Sequence, residues 1–172
     1  MRWRSLTPPQ IRALLEVLDD RYRTLFQTVI LTGMRSEEFL ALQWGDIDWN
    51  NGQIYVRRVL TRTKQEGWKF YKPKTKSSKR RIDVDPSLLL ELKKWKMKSA
   101  KCEPDDLVFT TASGQPIHRS GLYQLALLPA IRRSGVPRVG LHGLRHTYAS
   151  LLIAQGEHPK YIQTQMDTHR SR

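Results

Sequence analysis

At 172 residues, with 39% hydrophobic residues and five tryptophans, the chain has the length and apolar content for one folded domain rather than a disordered segment. No apolar run approaches the roughly 18 residues of a membrane helix, no signal-peptide core opens the chain, and a single cysteine, Cys102, excludes an internal disulfide and a cysteine-rich metal site. Thirty Lys and Arg against 16 Asp and Glu give a net charge of +14 and a pI near 10.3, which favours a polyanionic partner, with nucleic acid ahead of anionic membrane.

The first element is "LTPPQIRALLEVLDD", with Thr7 as N-cap, Pro8 at the first helical position and Gln10 completing a capping box. Ile11, Leu14, Leu15 and Leu18 recur at helical spacing. A second helix runs through Leu25, Val29, Ile30 and Leu31 and stops at Gly33. "RSEEFLALQW" reads as a third, with Ser36 or a neighbour as cap and two glutamates in the first turn, where the helix dipole favours them. "GQIYVRRVLTR" and "RRIDVD" alternate like strands, and "TKQEGWKFYKPKTKSSK" between them reads as a polar turn.

Helices then return. Asp85-Pro86 opens one with Leu88, Leu89, Leu92 and Trp95 inward. "HRSGLYQLALLPAIRRSG" is another, kinked or ended near Pro129. "GLRHTYASLLIAQG" closes at Gly156, and "HPKYIQTQMDTH" starts a last one with Pro159 in its first turn. The expected fold is α+β and mostly α-helical: a single domain with a small two- or three-stranded antiparallel sheet packed beside a helical bundle.

The charge is uneven. Between Arg57 and Arg81 lie eleven basic residues and one acid, Glu66, with Trp68, Phe70 and Tyr71 among them. Alone this is a solvated hairpin tip. Beside the total charge it reads as a phosphate-facing surface, with Arg57, Arg58, Lys64, Lys72, Lys76, Lys79 and Arg80 as DNA-binding candidates.

Three short stretches concentrate groups suited to chemistry. In "LHGLRHTYASLL", His142 and His146 stand four apart, the spacing of a two-histidine metal site. The glutamate of an H-E-x-x-H motif is absent and Arg145 lies between the pair, so no metal site is assigned. An anion site suits the stretch better, because Arg145 is a permanently charged fork and His142 adds a donor at a helix start. Arg35 in "LTGMRSEEFLALQW" begins a helix, with Glu38 three residues on to orient its guanidinium. A surface ion pair with Glu37 or Glu38 explains that fragment equally well. Lys74, in "KPKTKSSKRR", could reach a bound phosphate, although it is one lysine among many.

Taken in order, "LTGMRSEEFLALQWGDID", "PKTKSSKRRIDV" and "LHGLRHTYASLL" resemble the catalytic domain of the tyrosine recombinases, the phage integrase family. The resemblance runs from about Leu6 to about Met166. It implies an N-terminal stub over 1–5 and an integrase-like catalytic domain over 6–172 with an incomplete C-terminal segment, the family's DNA-clamping domain lying outside this chain. The family cuts DNA without metal or nucleotide cofactor, through a 3′-phosphotyrosine that a 5′-hydroxyl reverses. By the same resemblance Arg35 and Arg145 clamp the scissile phosphate, His142 assists by hydrogen bonding or proton transfer, and Lys74 (or else Lys76) protonates the leaving 5′-oxygen. Glu38 and His146 support the site. Double-stranded DNA is the implied partner, with self-assembly on DNA through the C-terminal segment, a monomer in free solution, no membrane, and a cytoplasmic setting on a bacterial or phage-related nucleoid.

The resemblance breaks at the end. The family has a Leu-Gly-His-like box after the last predicted helix, then a nucleophilic tyrosine. Here no Gly-His follows Met166 and no tyrosine follows Tyr161. Three alignments stay open: His169 as a displaced counterpart of the missing histidine, "MDTH" as the nucleophile segment with histidine in tyrosine's place, or a truncated or frameshifted terminus. Tyr161 is nearest to the expected region, yet it and Tyr148 read as packing residues, so no nucleophile is identified. The expected chain binds DNA and does not cleave it efficiently alone. The alternatives are a non-catalytic DNA-binding remnant or regulator and, ranked last, a histidine-metal nuclease.

Overall fold

The structure is a computed structural model that describes residues 4–167. Helix α1 spans Pro8–Glu16, and the Gln10 side chain accepts a hydrogen bond from the Thr7 amide at 2.9 Å, as the capping-box spacing predicts. Helix α2 spans Asp20–Thr32, begins with the Asp19 carboxylate accepting from the Tyr22 amide at 3.1 Å, and stops at Gly33 with φ 63°. A Cβ on Gly33 would run into the Tyr148 ring, so both backbone and space demand glycine there.

The third predicted helix is cut to one turn, α3, Ser36–Phe39. Phe39, Leu40 and Leu42 are buried, as is Trp44, but a neighbouring loop claims the backbone of Leu42 and Trp44. The Val108 amide donates to the Leu42 carbonyl at 2.9 Å, and the Trp44 amide to the Asp106 carbonyl at 3.1 Å. Sheet-like pairing to residues distant in sequence thus overrides a helical pattern.

The strands form two sheets. β1 (Ile47–Asp48), β2 (Gln53–Val56) and β5 (Arg80–Asp83) make an antiparallel sheet ordered β1-β2-β5, with Ile54 opposite Ile82. β3 (Val59–Thr63) and β4 (Gly67–Tyr71) form a separate hairpin with Leu60 opposite Phe70. The strand expected across "GQIYVRRVLTR" is therefore broken at Arg57-Arg58, where both guanidiniums turn to the buried Asp46 carboxylate. Part of the expected turn is strand β4. Its Trp68 packs edge-on to His118, ring centroids 5.8 Å apart, with the Arg62 guanidinium over its face.

Helix α4 (Pro86–Lys98) is capped by the Asp85 carboxylate and buries Leu88 and Leu92. After it come α5 (Arg119–Gly121), a π-helical segment over Leu122–Leu127, and α6 (Leu128–Ser134). The wide turn precedes Pro129, which has no amide to continue an α-helical ladder. Helices α7 (Leu141–Ala154) and α8 (Pro159–Met166) complete the order. No helix among the described residues is long and apolar enough to cross a membrane.

One continuous apolar core joins the helices to the three-stranded sheet through Leu14, Phe26, Phe39, Trp44, Ile54, Ile82, Leu88 and Leu144. Each such side chain contributes about 1.5–3 kcal/mol when fully buried, so the core can carry a polar site beside it. A smaller cluster of Tyr148, Leu152 and Met166 fixes α8 on α7. Leu6 is buried and its amide donates to the Thr147 hydroxyl at 3.0 Å, tying the start of the domain to α7. This packing brings the end of α2, the start of α3, strand β5 and the end of α8 together.

Candidate functional site

Three arginines converge where those four elements meet. Arg35 lies at the N-cap of α3, directly past the turn that Gly33 makes. Its amide donates to Glu38 Oε2 at 2.9 Å and its Nη1 to Glu38 Oε1 at 3.1 Å. Glu38 is 2% exposed and is gripped from the other side by Arg80, whose Nη1 and Nη2 donate to its two oxygens at 3.0 Å each. Burial alone would raise the Glu38 pKa; the Arg80 hydrogen bond and charge outweigh it and hold the carboxylate below its usual range. Glu38 thus fixes Arg35, and Arg80 fixes Glu38.

Arg145, on α7, is 4% exposed and donates its two terminal nitrogens to the Gly33 and Met166 carbonyls. Burial first, and then the nearby Arg35 charge, pull its pKa down to about 10. A bound anion would oppose the repulsion between the two guanidiniums.

Arg35 keeps 39% of its side chain exposed and faces a cleft of about 550 Å³. Pro73, Lys74, Thr75, Ser78 and Asp167 line the same cleft. Lys74 is exposed in the loop between β4 and β5, so it and Arg35 meet across one opening. The Asp167 carboxylate enters from the end of α8: Arg35 Nη1 donates to its Oδ2 at 3.0 Å and the Ser78 hydroxyl to the same oxygen at 2.7 Å. Burial lowers the Arg35 pKa, but Asp167 and Glu38 outweigh it and hold the guanidinium above its usual value.

His142 and His146 meet edge to face on α7, centroids 4.5 Å apart. Burial, followed by the charges of Arg145, Arg119 and Arg35, lowers the His142 pKa, which places its ring within the field of the arginines. Among the described residues no group of three His, Cys, Asp or Glu side chains is placed to hold a metal ion.

Neither tyrosine near the site has the character of a nucleophile. Tyr148 is 4% exposed, and burial pushes its phenol up to about 12. The Tyr161 hydroxyl donates to Asp83 Oδ2 at 2.8 Å, and burial together with that carboxylate raises its pKa strongly. His169 lies outside the described residues.

The phage integrase family model matches residues 4–171. The chain belongs to the phage integrase family. It is 33% identical to a tyrosine recombinase XerC-like protein of Caldanaerobacter subterraneus subsp. tengcongensis over 88% of this chain and 44% of that protein. It is 34% identical to the integrase of Staphylococcus phage L54a over 71% of this chain and 37% of that integrase. This integrase-family chain thus spans less than half the length of these relatives. In fold it is similar to the Tn1549 transposon integrase solved with circular intermediate DNA, at a TM-score of 0.88 and 21% identity over 99% of this chain and 60% of that one. It is also similar to the XerA recombinase, at a TM-score of 0.77 and 18% identity over 97% of this chain and 57% of that one. The α+β fold expected from the sequence is the fold of these recombinases.

The structure revises the placement of some basic candidates. Arg57, Lys64, Lys72, Lys76 and Lys79 are exposed, Arg58 is half-buried on Asp46, and Arg80 is buried on Glu38. Arg80 therefore belongs to the interior of the site and not to the DNA-facing surface, because a guanidinium matches a buried carboxylate bidentately. Sequence reasoning also missed Ser78 and Asp167. Neither carries a local signal, because the end of α8 at Met166 and the meeting of the two side chains required the fold.

Proposed function

We propose that this chain is the catalytic-domain portion of a site-specific DNA recombinase and binds a DNA phosphate between Arg35, Arg145 and Lys74. The observation that carries the reading is the convergence of Arg35 and Lys74 on one cleft, with Arg145 and His142 close enough to Arg35 to feel its charge. A phosphoryl transition state spreads negative charge over several oxygens, and prearranged guanidiniums stabilise that charge without reorganising. Arg35 and Arg145 are the clamps, Lys74 donates a proton to the leaving 5′-oxygen, His142 hydrogen-bonds the phosphoryl group, and Glu38 orients Arg35. Leu6 onward acts as one unit.

Double-stranded DNA is the partner, and the exposed lysines of the β3–β5 region add backbone contacts. Neither Tyr148 nor Tyr161 is assigned the attack on phosphorus, and phosphate binding is the step assigned to the residues of this chain. A suicide-substrate assay with nicked duplex DNA tests the proposal. The expected product is a salt-sensitive, noncovalent complex. A covalent adduct mapped to either tyrosine would refute the assignment of those residues, and absence of any complex would refute DNA binding.

A further inference from the structure

The end of α8 lies in the arginine cluster as a negative body. Arg80 Nε donates to the Gln165 carbonyl at 2.7 Å, Arg145 to the Met166 carbonyl, and Arg35 Nη2 to the Asp167 carbonyl at 3.2 Å. Carbonyls at a helix C-terminus lack partners within the helix and carry the negative end of its dipole, so they suit cations. The Asp167 side chain, 3% exposed, adds a full charge held by Arg35 and Ser78. The Thr75 hydroxyl stands 2.7 Å from the Ser78 oxygen and helps to set it.

Asp167 reaches this place because its backbone is left-handed, with φ 51°. It is the one described residue other than glycine with positive φ. That conformation is ordinary for glycine and strained for most side chains, with asparagine and aspartate among those that tolerate it best. The Asp167 carboxylate lines the same cleft as Lys74.

We infer that Arg35 and Ser78 form an oxyanion subsite for a phosphate group and that the Asp167 carboxylate is its internal occupant, which a phosphate must displace. A carboxylate and a phosphate present similar acceptors to the same donors, so the two cannot bind together. Ser78 is thereby a phosphate-binding residue, and the last turn of α8 is an autoinhibitory contact. The DNA arm of the test rests on the recombinase reading above; the phosphate arm does not.

The test compares the wild-type chain with D167G and D167N, both compatible with the left-handed backbone, and with S78A introduced into D167G. Thermal midpoints are measured against inorganic phosphate with chloride matching the ionic strength, and duplex DNA binding is measured by fluorescence anisotropy. D167G and D167N should gain a phosphate-dependent rise in midpoint that the wild type shows weakly, and S78A should abolish it. Duplex affinity of D167G should rise about tenfold, as expected for one opposing carboxylate removed from a charged hydrogen-bond site. If D167G and D167N respond to phosphate as the wild type does, the subsite is overturned, whatever the DNA result. If they gain the phosphate response while no chain binds duplex DNA, the subsite stands and the recombinase reading fails.

Discussion

The arginine cluster and the basic face around the β3–β4 hairpin carry the same charge in opposite ways. In the cluster, Arg35, Arg80 and Arg145 have fixed partners, and two of the three are buried. On the face, Lys64, Lys72, Lys76 and Lys79 are exposed to solvent. A buried guanidinium is defined by geometry, so removing it disturbs the fold. An exposed lysine acts by number and distance, so removing it changes attraction to a polyanion and little else.

The largest expected effect lies in the cluster. R80M leaves Glu38 buried with half its partners, and breaking such a pair costs about 3–5 kcal/mol in urea unfolding. Combining it with E38Q should cost less than the sum of the single changes, because both remove the same interaction. A loss under about 1 kcal/mol for R80M would dissolve the distinction between the two regions.

On the basic face, neutralising Lys72, Lys76 and Lys79 to alanine should leave stability within about 0.5 kcal/mol. It should also flatten the salt dependence of duplex binding by about 0.9 for each lysine that meets a phosphate. An unchanged slope would show that this face does not meet DNA.

The smallest effect concerns pH. His142 and His146 both have lowered pKa values in the fold, by burial first and then by neighbouring cationic groups. The unfolded chain, with histidines near 6.5, therefore binds more protons as pH falls through that value. The stability they contribute is fully present above 6.5 and is lost as pH falls below it toward their folded pKa values. Thermal midpoints should fall between about pH 7 and 5, and the H142Q/H146Q double variant should flatten that fall. Equal slopes for both chains would show that the pair is not under strain.

Much of this difference was legible in the sequence. Capping at Thr7, the stop at Gly33 and the cap at Asp85 follow from local chemistry, whereas Arg35, Lys74, His142 and Arg145 were singled out together only through the family resemblance. The shortened α3 and the split strand were not legible, because both depend on groups distant in sequence, the loop around Asp106 and the Asp46 carboxylate. Arg80 was misplaced for the same reason: nothing in "KSSKRRID" tells which arginine turns inward until the β2–β5 register is known. Asp167 was not legible either, because the end of α8 at Met166 and the meeting with Ser78, 89 residues earlier, required the fold.

Duplex binding by R35Q tests the central claim most directly. Arg35 is partly exposed and Glu38 keeps Arg80, but the buried Asp167 carboxylate loses its cation and keeps Ser78, so the fold should lose about 1–3 kcal/mol. If Arg35 meets a DNA phosphate, losing its charged hydrogen bonds costs about 1.5–3 kcal/mol, and affinity should fall roughly ten- to a hundredfold at fixed salt. An R35Q chain that stays folded and binds duplex DNA as tightly as the wild type would contradict the account.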